Sequence, residues 1–317
     1  AKKDGIQDIV VTAERREQSV QRSPLTIQVI GGEEAAKAGL SNVEDLTRLV
    51  AGVQIGNGGG QSQIYVRGVG DFSYSVLASP GVAFNIDGIY VGRPNGVNGN
   101  FFDVARVEGL KGPQGNLSGR TRARGSHTSV PRVPELCVSG GYVSGGVGNY
   151  GLQGISGAVN AGLSASLAAR IAFRVVDRSG YLSDGSNDDV QQAIRFKVNW
   201  NASPDVTIKF SADYSHLGGN GAGYVYTPKR PGASPWAGTS DPAAVAYRGA
   251  FLPPALVPVL TAPFDKRLFQ DSTLWNASVQ LDADLGFATL SVIPAYRDFN
   301  IQSTANTGFT YDSYAKG

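Results

Sequence analysis

The sequence has one cysteine, no methionine and two histidines among 317 residues. That excludes an internal disulfide framework and leaves little material for a transition-metal site. Charged residues are scarce at 17%, against a usual share of about 25%. They also nearly cancel, 28 Lys and Arg against 26 Asp and Glu, so the one-signed field of a nucleic-acid binder is missing. No run approaches the roughly 18 consecutive apolar residues of a membrane helix. The opening Ala1-Lys2-Lys3-Asp4-Gly5 has no apolar signal core. The chain is therefore either soluble or crosses a membrane as strands after loss of a signal peptide.

Glycine is abundant: its 42 residues are nearly twice the usual share of about 7%. This favours strands, turns and close backbone approaches over long helices. The length allows one large or two ordinary domains.

Along the chain, residues 1–30 begin polar and hold one short β-prone run, Asp8-Ile9-Val10-Val11-Thr12-Ala13, before the charged Glu14 to Glu17. An apolar strand-former among polar neighbours has no core of its own and reads as a mobile tail. From Glu33 to Gly52 the pattern is helical. Ser41 to Glu44 resembles a capping box, Leu46, Leu49 and Val50 share a face, and Gly52 stops the helix. Between Val53 and Gly115 short apolar runs alternate with Gly, Asn and Pro, the pattern of a compact α+β domain with small strands and long loops.

After about residue 136 the period becomes a strict two. Ile194, Phe196, Val198 and Trp200 alternate with Arg195, Lys197, Asn199 and Asn201; the same holds from Val206 to Ser215 and from Leu274 to Leu285. Such dyads fit a membrane β-barrel with one face in lipid and one toward a polar lumen, but a soluble sandwich alternates too. Connection lengths favour the barrel. Turns at Ser164 to Ser166, Ala202 to Asp205 and Asp284 to Phe287 are short, those at Arg178 to Gln191 and Gly218 to Ser272 are long, and the two kinds alternate.

Four ordered motifs then resemble a known family. Asp8 to Ala13 is similar to a TonB box. Ile64-Tyr65-Val66-Arg67-Gly68, Phe84-Asn85-Ile86-Asp87-Gly88-Ile89-Tyr90 and Val104 to Gly115, ending Lys111-Gly112-Pro113-Gln114-Gly115, look like the plug motifs of TonB-dependent outer-membrane receptors, siderophore receptors among them. The resemblance implies a mainly β protein: TonB box and linker at 1–20, an α+β plug at 21–135, and at 136–317 the first seven or eight antiparallel strands of a transmembrane barrel. Receptors of this kind close with about 22 strands, and an eight-stranded barrel is too narrow for a plug, so the chain reads as an N-terminal fragment.

Function follows from the same resemblance: import of a scarce substrate, most often a ferric siderophore, across the outer membrane of a Gram-negative bacterium. Asp8, Ile9, Val10, Val11, Thr12 and Ala13 would add as an edge strand to the TonB C-terminal domain. Arg67, Glu108 and Lys111 would form a latch, the two cations pairing with wall carboxylates to hold the plug. Phe72, Tyr74, Asn98, Asn100 and Phe101 would contact substrate from the plug apex. Partners would be TonB, a small ferric ligand and outer-membrane lipid, but not nucleic acid. No catalytic or metal-ligating residues and no cofactor are implied; iron enters only within the cargo.

One stretch departs from the pattern. After Gly119-Arg120 the family usually continues Asn-Ala-x-Gly-Gly-x-Ile-Asn as the last plug strand, whereas this chain reads Thr121 to Arg132, polar and basic with Pro131. Out-of-frame translation of 121–137 is a hypothesis that accounts for it. It predicts a compensating pair of base insertions or deletions in the gene, which an in-frame match to related genes would rule out. Such a strand is expected to weaken plug closure. Other signals fail on detail: Gly115 to Thr121 lacks P-loop spacing and lysine, Asp184 to Asp189 lacks the glycine and glutamate of an EF-hand, and no nucleophile and base share a motif. The alternative readings are a soluble or secreted β-rich binding protein without a transport role, or a non-functional truncated receptor.

Overall fold

The computed structural model describes residues 10–11, 18–19, 26–40, 42–58, 61–70, 82–92, 101–111, 125–181, 185–221, 269–306 and 312–316. Near the N-terminus β1 (Val10–Val11) pairs antiparallel with β2 (Gln18–Ser19). The plug follows. Its five-stranded sheet contains β3 (Thr26–Gly31), β7 (Ala83–Ile86), β8 (Ile89–Val91), β9 (Val104–Lys111) and β10 (Gly125–Pro131), in the order β3-β9-β10-β7-β8. Only β10 and β7 are parallel; the other pairs are antiparallel. A smaller sheet joins β4 (Val53–Gly58), β5 (Gln61–Val66) and β6 (Val69–Gly70).

The single helix expected over 33–52 is two short pieces, α1 (Gly32–Lys37) and α2 (Leu46–Leu49), with a 3-10 turn at Val43–Asp45 before α2. Gly39, at φ 71°, interrupts it; Ser41 of the expected capping box lies outside the described residues, and Asp45 Oδ2 accepts the Asn42 N–H at 3.0 Å. The apolar face holds: Val43, Leu46 and Val50 are buried in one core with Ile64, Phe84, Ile86 and Val107.

Two of the sequence motifs prove to be tight hairpin turns. Arg67-Gly68 and Asp87-Gly88 each carry positive φ at both positions, 53° then 77° in both cases. That is the backbone a two-residue antiparallel hairpin demands, and glycine in second place meets it without strain.

The departing stretch does not leave a gap. Residues 125–131 form β10 at the centre of the plug sheet, between β9 and β7. Ser126, His127, Thr128 and Ser129 are buried there. A ladder needs only backbone groups, and Gly109 opposite His127 gives the imidazole room: a Cβ on Gly109 would lie 3.3 Å from the ring. The ring also stacks on Phe84 at 5.4 Å.

The second half is one large antiparallel sheet. It comprises β11 (Gly140–Val147), β12 (Gln153–Gly162), β13 (Leu167–Arg178), β14 (Asp189–Ser203), β15 (Val206–Gly218), β16 (Phe269–Asp284), β17 (Thr289–Val292), β18 (Ala295–Asn306) and β19 (Asp312–Lys316). β17 and β18 both pair with β16 in one continuous register across Ile293-Pro294, so they act as one interrupted strand and the wall has eight. Among the described residues the end strands β11 and β19 do not pair with each other, so this is part of a barrel and not a closed one. Connections alternate by rim: 163–166, 204–205 and 285–288 on one side, 148–152, 179–188 and 219–268 on the other.

Candidate functional site

Burial in the wall is inverted relative to a soluble sheet. Arg195 and Lys197 on β14, Asp213 on β15 and Asn276 on β16 are all under 9% exposed, while Phe196, Trp200 and Trp275 on the opposite face are 41%, 45% and 55% exposed. Alternation alone left sandwich and barrel open; this decides between them, because a sandwich core would bury the aromatics. Outward-facing apolar rows run from Ile194, Tyr214 and Trp275 down to Trp200, Ile208, Leu281 and Val292. From Ile194 to Ala202 the strand climbs roughly 26 Å, or about 20 Å once tilted by ~40°, close to the ~25 Å apolar band of such barrels.

The buried polar face is covered by the plug, and the contact is charged. Asp103, between β8 and β9, receives two hydrogen bonds from Arg170 of β13, Nε to Oδ2 at 2.7 Å and Nη2 to Oδ1 at 2.6 Å. Tyr142 Oη donates to the same carboxylate at 3.3 Å. The Asp103 side chain is 1% exposed and that of Arg170 11%, so this fork is largely removed from water. At the β7–β8 turn Asp87 meets Lys197 Nζ at 2.5 Å. Its backbone N–H bonds Ser129 O at 3.0 Å, which ties the turn to β10.

Two residues along β14 from Lys197 stands Arg195. Its Nη1 donates to the Phe102 carbonyl at 2.8 Å, its guanidinium stands 4.5 Å from the Phe102 ring centroid, and its Nε pairs with Asp213. Where the plug passes into the wall, Asn160 of β12 grips the chain three times: Nδ2 to Glu135 O at 2.9 Å and Val138 O at 2.7 Å, and Glu135 N–H to Oδ1 at 3.0 Å. Asn199 Nδ2 adds a bond to Pro134 O at 3.2 Å.

Sequence reasoning missed this arrangement. It placed cations on the plug and carboxylates on the wall; the described pairs run the other way, from Asp87 and Asp103 to Lys197 and Arg170. The available signal was the motif Phe84 to Tyr90 itself, which sets Asp87 at the tip of its hairpin, and the inward parity of Lys197. Arg67 is exposed at its own hairpin tip. Glu108 is fully buried on β9 with Arg106 Nε at 2.7 Å, a partner within the plug. The Lys111 side chain lies outside the described residues, as do Phe72, Tyr74, Asn98 and Asn100. Phe101 is 3% exposed and belongs to the plug core. Of the TonB-box reading, only the backbone of Val10 and Val11 is described, in register with Ser19 and Gln18.

Among the described residues no group of three His, Cys, Asp or Glu is placed to hold a metal. Asp188, from the acidic loop, accepts the backbone N–H groups of Asn220 at 2.5 Å and Gly221 at 2.8 Å.

Residues 19–126 match the TonB-dependent receptor plug domain. The chain carries a TonB-dependent receptor plug domain. The match ends inside β10, where the sequence departs from the usual pattern. The pesticin receptor of Yersinia pestis is 32% identical over 142 residues, 44% of this chain and 20% of that protein. An iron-regulated outer membrane virulence protein of Vibrio cholerae is 24% identical over 220 residues, 65% of this chain and 33% of that protein. Among solved structures, the ferric yersiniabactin uptake receptor of Yersinia pestis superposes with a TM-score of 0.70 at 18% identity, covering 88% of this chain and 42% of that one. The ferripyoverdine receptor of Pseudomonas aeruginosa also gives 0.70, at 16% identity, covering 97% and 39%. The chain thus spans a fifth to a third of the curated relatives and about two fifths of the solved receptors. The relatives are outer-membrane receptors of Gram-negative bacteria, and the outer membrane is where this chain belongs.

Proposed function

We propose that this receptor chain works in TonB-driven import of a ferric siderophore across the outer membrane. One observation carries the reading: a plug is held by buried ion pairs against the polar face of a sheet whose apolar face is bare. That is a stopper in a lipid-embedded wall. The outward apolar rows are the surface that lipid covers, and iron enters only within the cargo. Relatives named for pesticin, ferric yersiniabactin and ferripyoverdine support the substrate class.

The outer membrane has no nucleotide supply, so work arrives mechanically from the inner membrane. Asp8, Ile9, Val10, Val11, Thr12 and Ala13 add as a strand to the TonB C-terminal domain, where main-chain bonds give grip with modest sequence demands. A pull there strains the plug against Asp87–Lys197 and Asp103–Arg170, which act as the latch. Arg67 and Lys111 are proposed to meet wall carboxylates on strands other than these eight, with Glu108 holding the β9 motif in shape through Arg106. Phe72, Tyr74, Asn98 and Asn100 are proposed to meet substrate at the plug apex; Phe101 braces that loop from the core.

The test is Val10→Pro, which removes a ladder donor. Uptake of radiolabelled ferric siderophore into cells should fall to background while binding to isolated outer membranes stays within twofold. Unchanged uptake would overturn the TonB-box assignment. A water-soluble product lacking heat-modifiable migration would overturn the importer and favour a soluble binder.

A further inference from the structure

Four residues on the inner face of the wall lie in one cross-strand row. Arg195 of β14 stands opposite Asp213 of β15, Asp213 opposite Asn276 of β16, and Asn276 opposite Arg297 of β18. The two ends of this row differ. Arg195 has its acceptors in Asp213 and the Phe102 carbonyl. At the other end Asn276 is 8% exposed, yet neither its Nδ2 nor its Oδ1 has a hydrogen-bond partner, and the same holds for the buried Nε and Nη1 of Arg297.

Rotation within the pair does not cure this. Arginine Nε carries one N–H and Nη1 two, and the amide Nδ2 carries two more, whereas Oδ1 offers two lone pairs. Donors are in excess, and buried N–H groups without acceptors are costly, most of all on a cation. The neighbours on that face supply no anion. Toward the long connections Leu274 stands opposite Phe299, and toward the short ones Ser278 stands opposite Ala295. Asp213 acts on Arg297 through space, but its carboxylate is engaged by Arg195. Elsewhere on this face the cations are met: Arg170 by Asp103, Lys197 by Asp87 and Arg174 by Gln191.

We propose that Asn276 and Arg297 form a carboxylate-binding site on the inner face of the wall. A carboxylate only accepts, takes about four N–H groups, and carries the charge that matches the guanidinium. Two sources present that chemistry. One is a side chain of the receptor itself. Among the described residues the far edge of β18 is paired by β19 at Gln302 to Asn306 alone, which leaves the stretch beside Arg297 open to a further strand. A strand laid there sets a residue directly across from Arg297, with about 5 Å between Cβ atoms. The other source is a small carboxylate solute in the lumen. The site rests on the wall's own groups, so it holds whatever cargo the receptor carries.

Thermal unfolding of the purified receptor in detergent tests the site, with sodium acetate and sodium chloride compared at equal ionic strength. If the carboxylate is a solute, acetate raises the melting temperature of the parent above its value in chloride, by binding the folded state. That rise should disappear in Arg297→Met and shrink in Asn276→Leu. If the carboxylate is a side chain, the two salts give the same value, and Arg297→Met melts about 5 °C lower because its partner is left buried and alone. Arg297→Lys should then fall by less, since it keeps the charge, an ordering that lost packing does not produce. Arg297→Met melting at or above the parent, with no acetate effect, would overturn the site, because a guanidinium without an anionic partner is replaced at no cost. An equal fall in Arg297→Met and Arg297→Lys, again with no acetate effect, would assign the loss to packing and overturn it as well.

Discussion

The plug and the wall are both β-sheets, yet they sort their residues in opposite ways. In the plug, Val43, Leu46, Phe84 and Val107 are at most 2% exposed, as in any soluble domain with water outside. In the wall, Arg195 is 1% exposed and Lys197 3%, whereas Val143 and Tyr296 are 73% and 67% exposed. The backbone ladders are the same, so the difference lies in the surroundings each face meets. Lipid rewards apolar groups outside, and the plug supplies the polar partners inside that water would otherwise provide.

The largest effect is expected at the boundary between plug and wall. Asp103→Ala strips a bidentate partner from a largely buried arginine and should cost about 4 kcal/mol, the usual penalty for leaving a buried charge alone. Urea unfolding of the receptor in detergent would read it, and a loss below about 1 kcal/mol would mean that water reaches Arg170. Next comes the lipid face. Val198→Arg lies near the middle of the apolar band and should cost about 3 kcal/mol of folding stability in bilayers. If that substitution proved neutral, the outward face would be in water.

Equal chemistry at the end of the band should matter less. Trp275→Arg, beside Asp298 in the outermost apolar row, is expected to cost about 1 kcal/mol or less, because the penalty for arginine falls toward the interface. A cost equal to that of Val198→Arg in the same bilayer assay would put the membrane boundary higher on the strand. The plug offers the control: Leu46→Ala should cost about 3 kcal/mol through the cavity it leaves, in detergent and bilayer alike.

Much of this architecture is legible in the residues. The period of two from Ala193 to Asn201 marks β14 and assigns Arg195 and Lys197 to one face, since strand side chains alternate whatever the fold. The Arg67-Gly68 and Asp87-Gly88 pairs mark hairpins for an equally local reason. Legibility fails where a distant partner decides. Gly39 splits the expected helix because α1 and α2 pack separately into the plug core. Phe101 resembles an exposed loop aromatic until the core is seen to close over it. The pairs across the boundary were not legible at all, because Asp87 and Lys197 are 110 residues apart and Asp103 and Arg170 are 67 apart, and nothing local relates them.

Local patterning is enough to establish that the second half is strands with two unlike faces and that the first half carries the ordered plug motifs. Which face is inside, and which charges meet across the boundary, emerges only from long-range packing. Periodicity is a property of neighbouring residues, and it says that two faces differ without saying what each one touches. Burial and ion pairing are set by elements brought together from far along the chain, so they exist only once the plug lies against the wall.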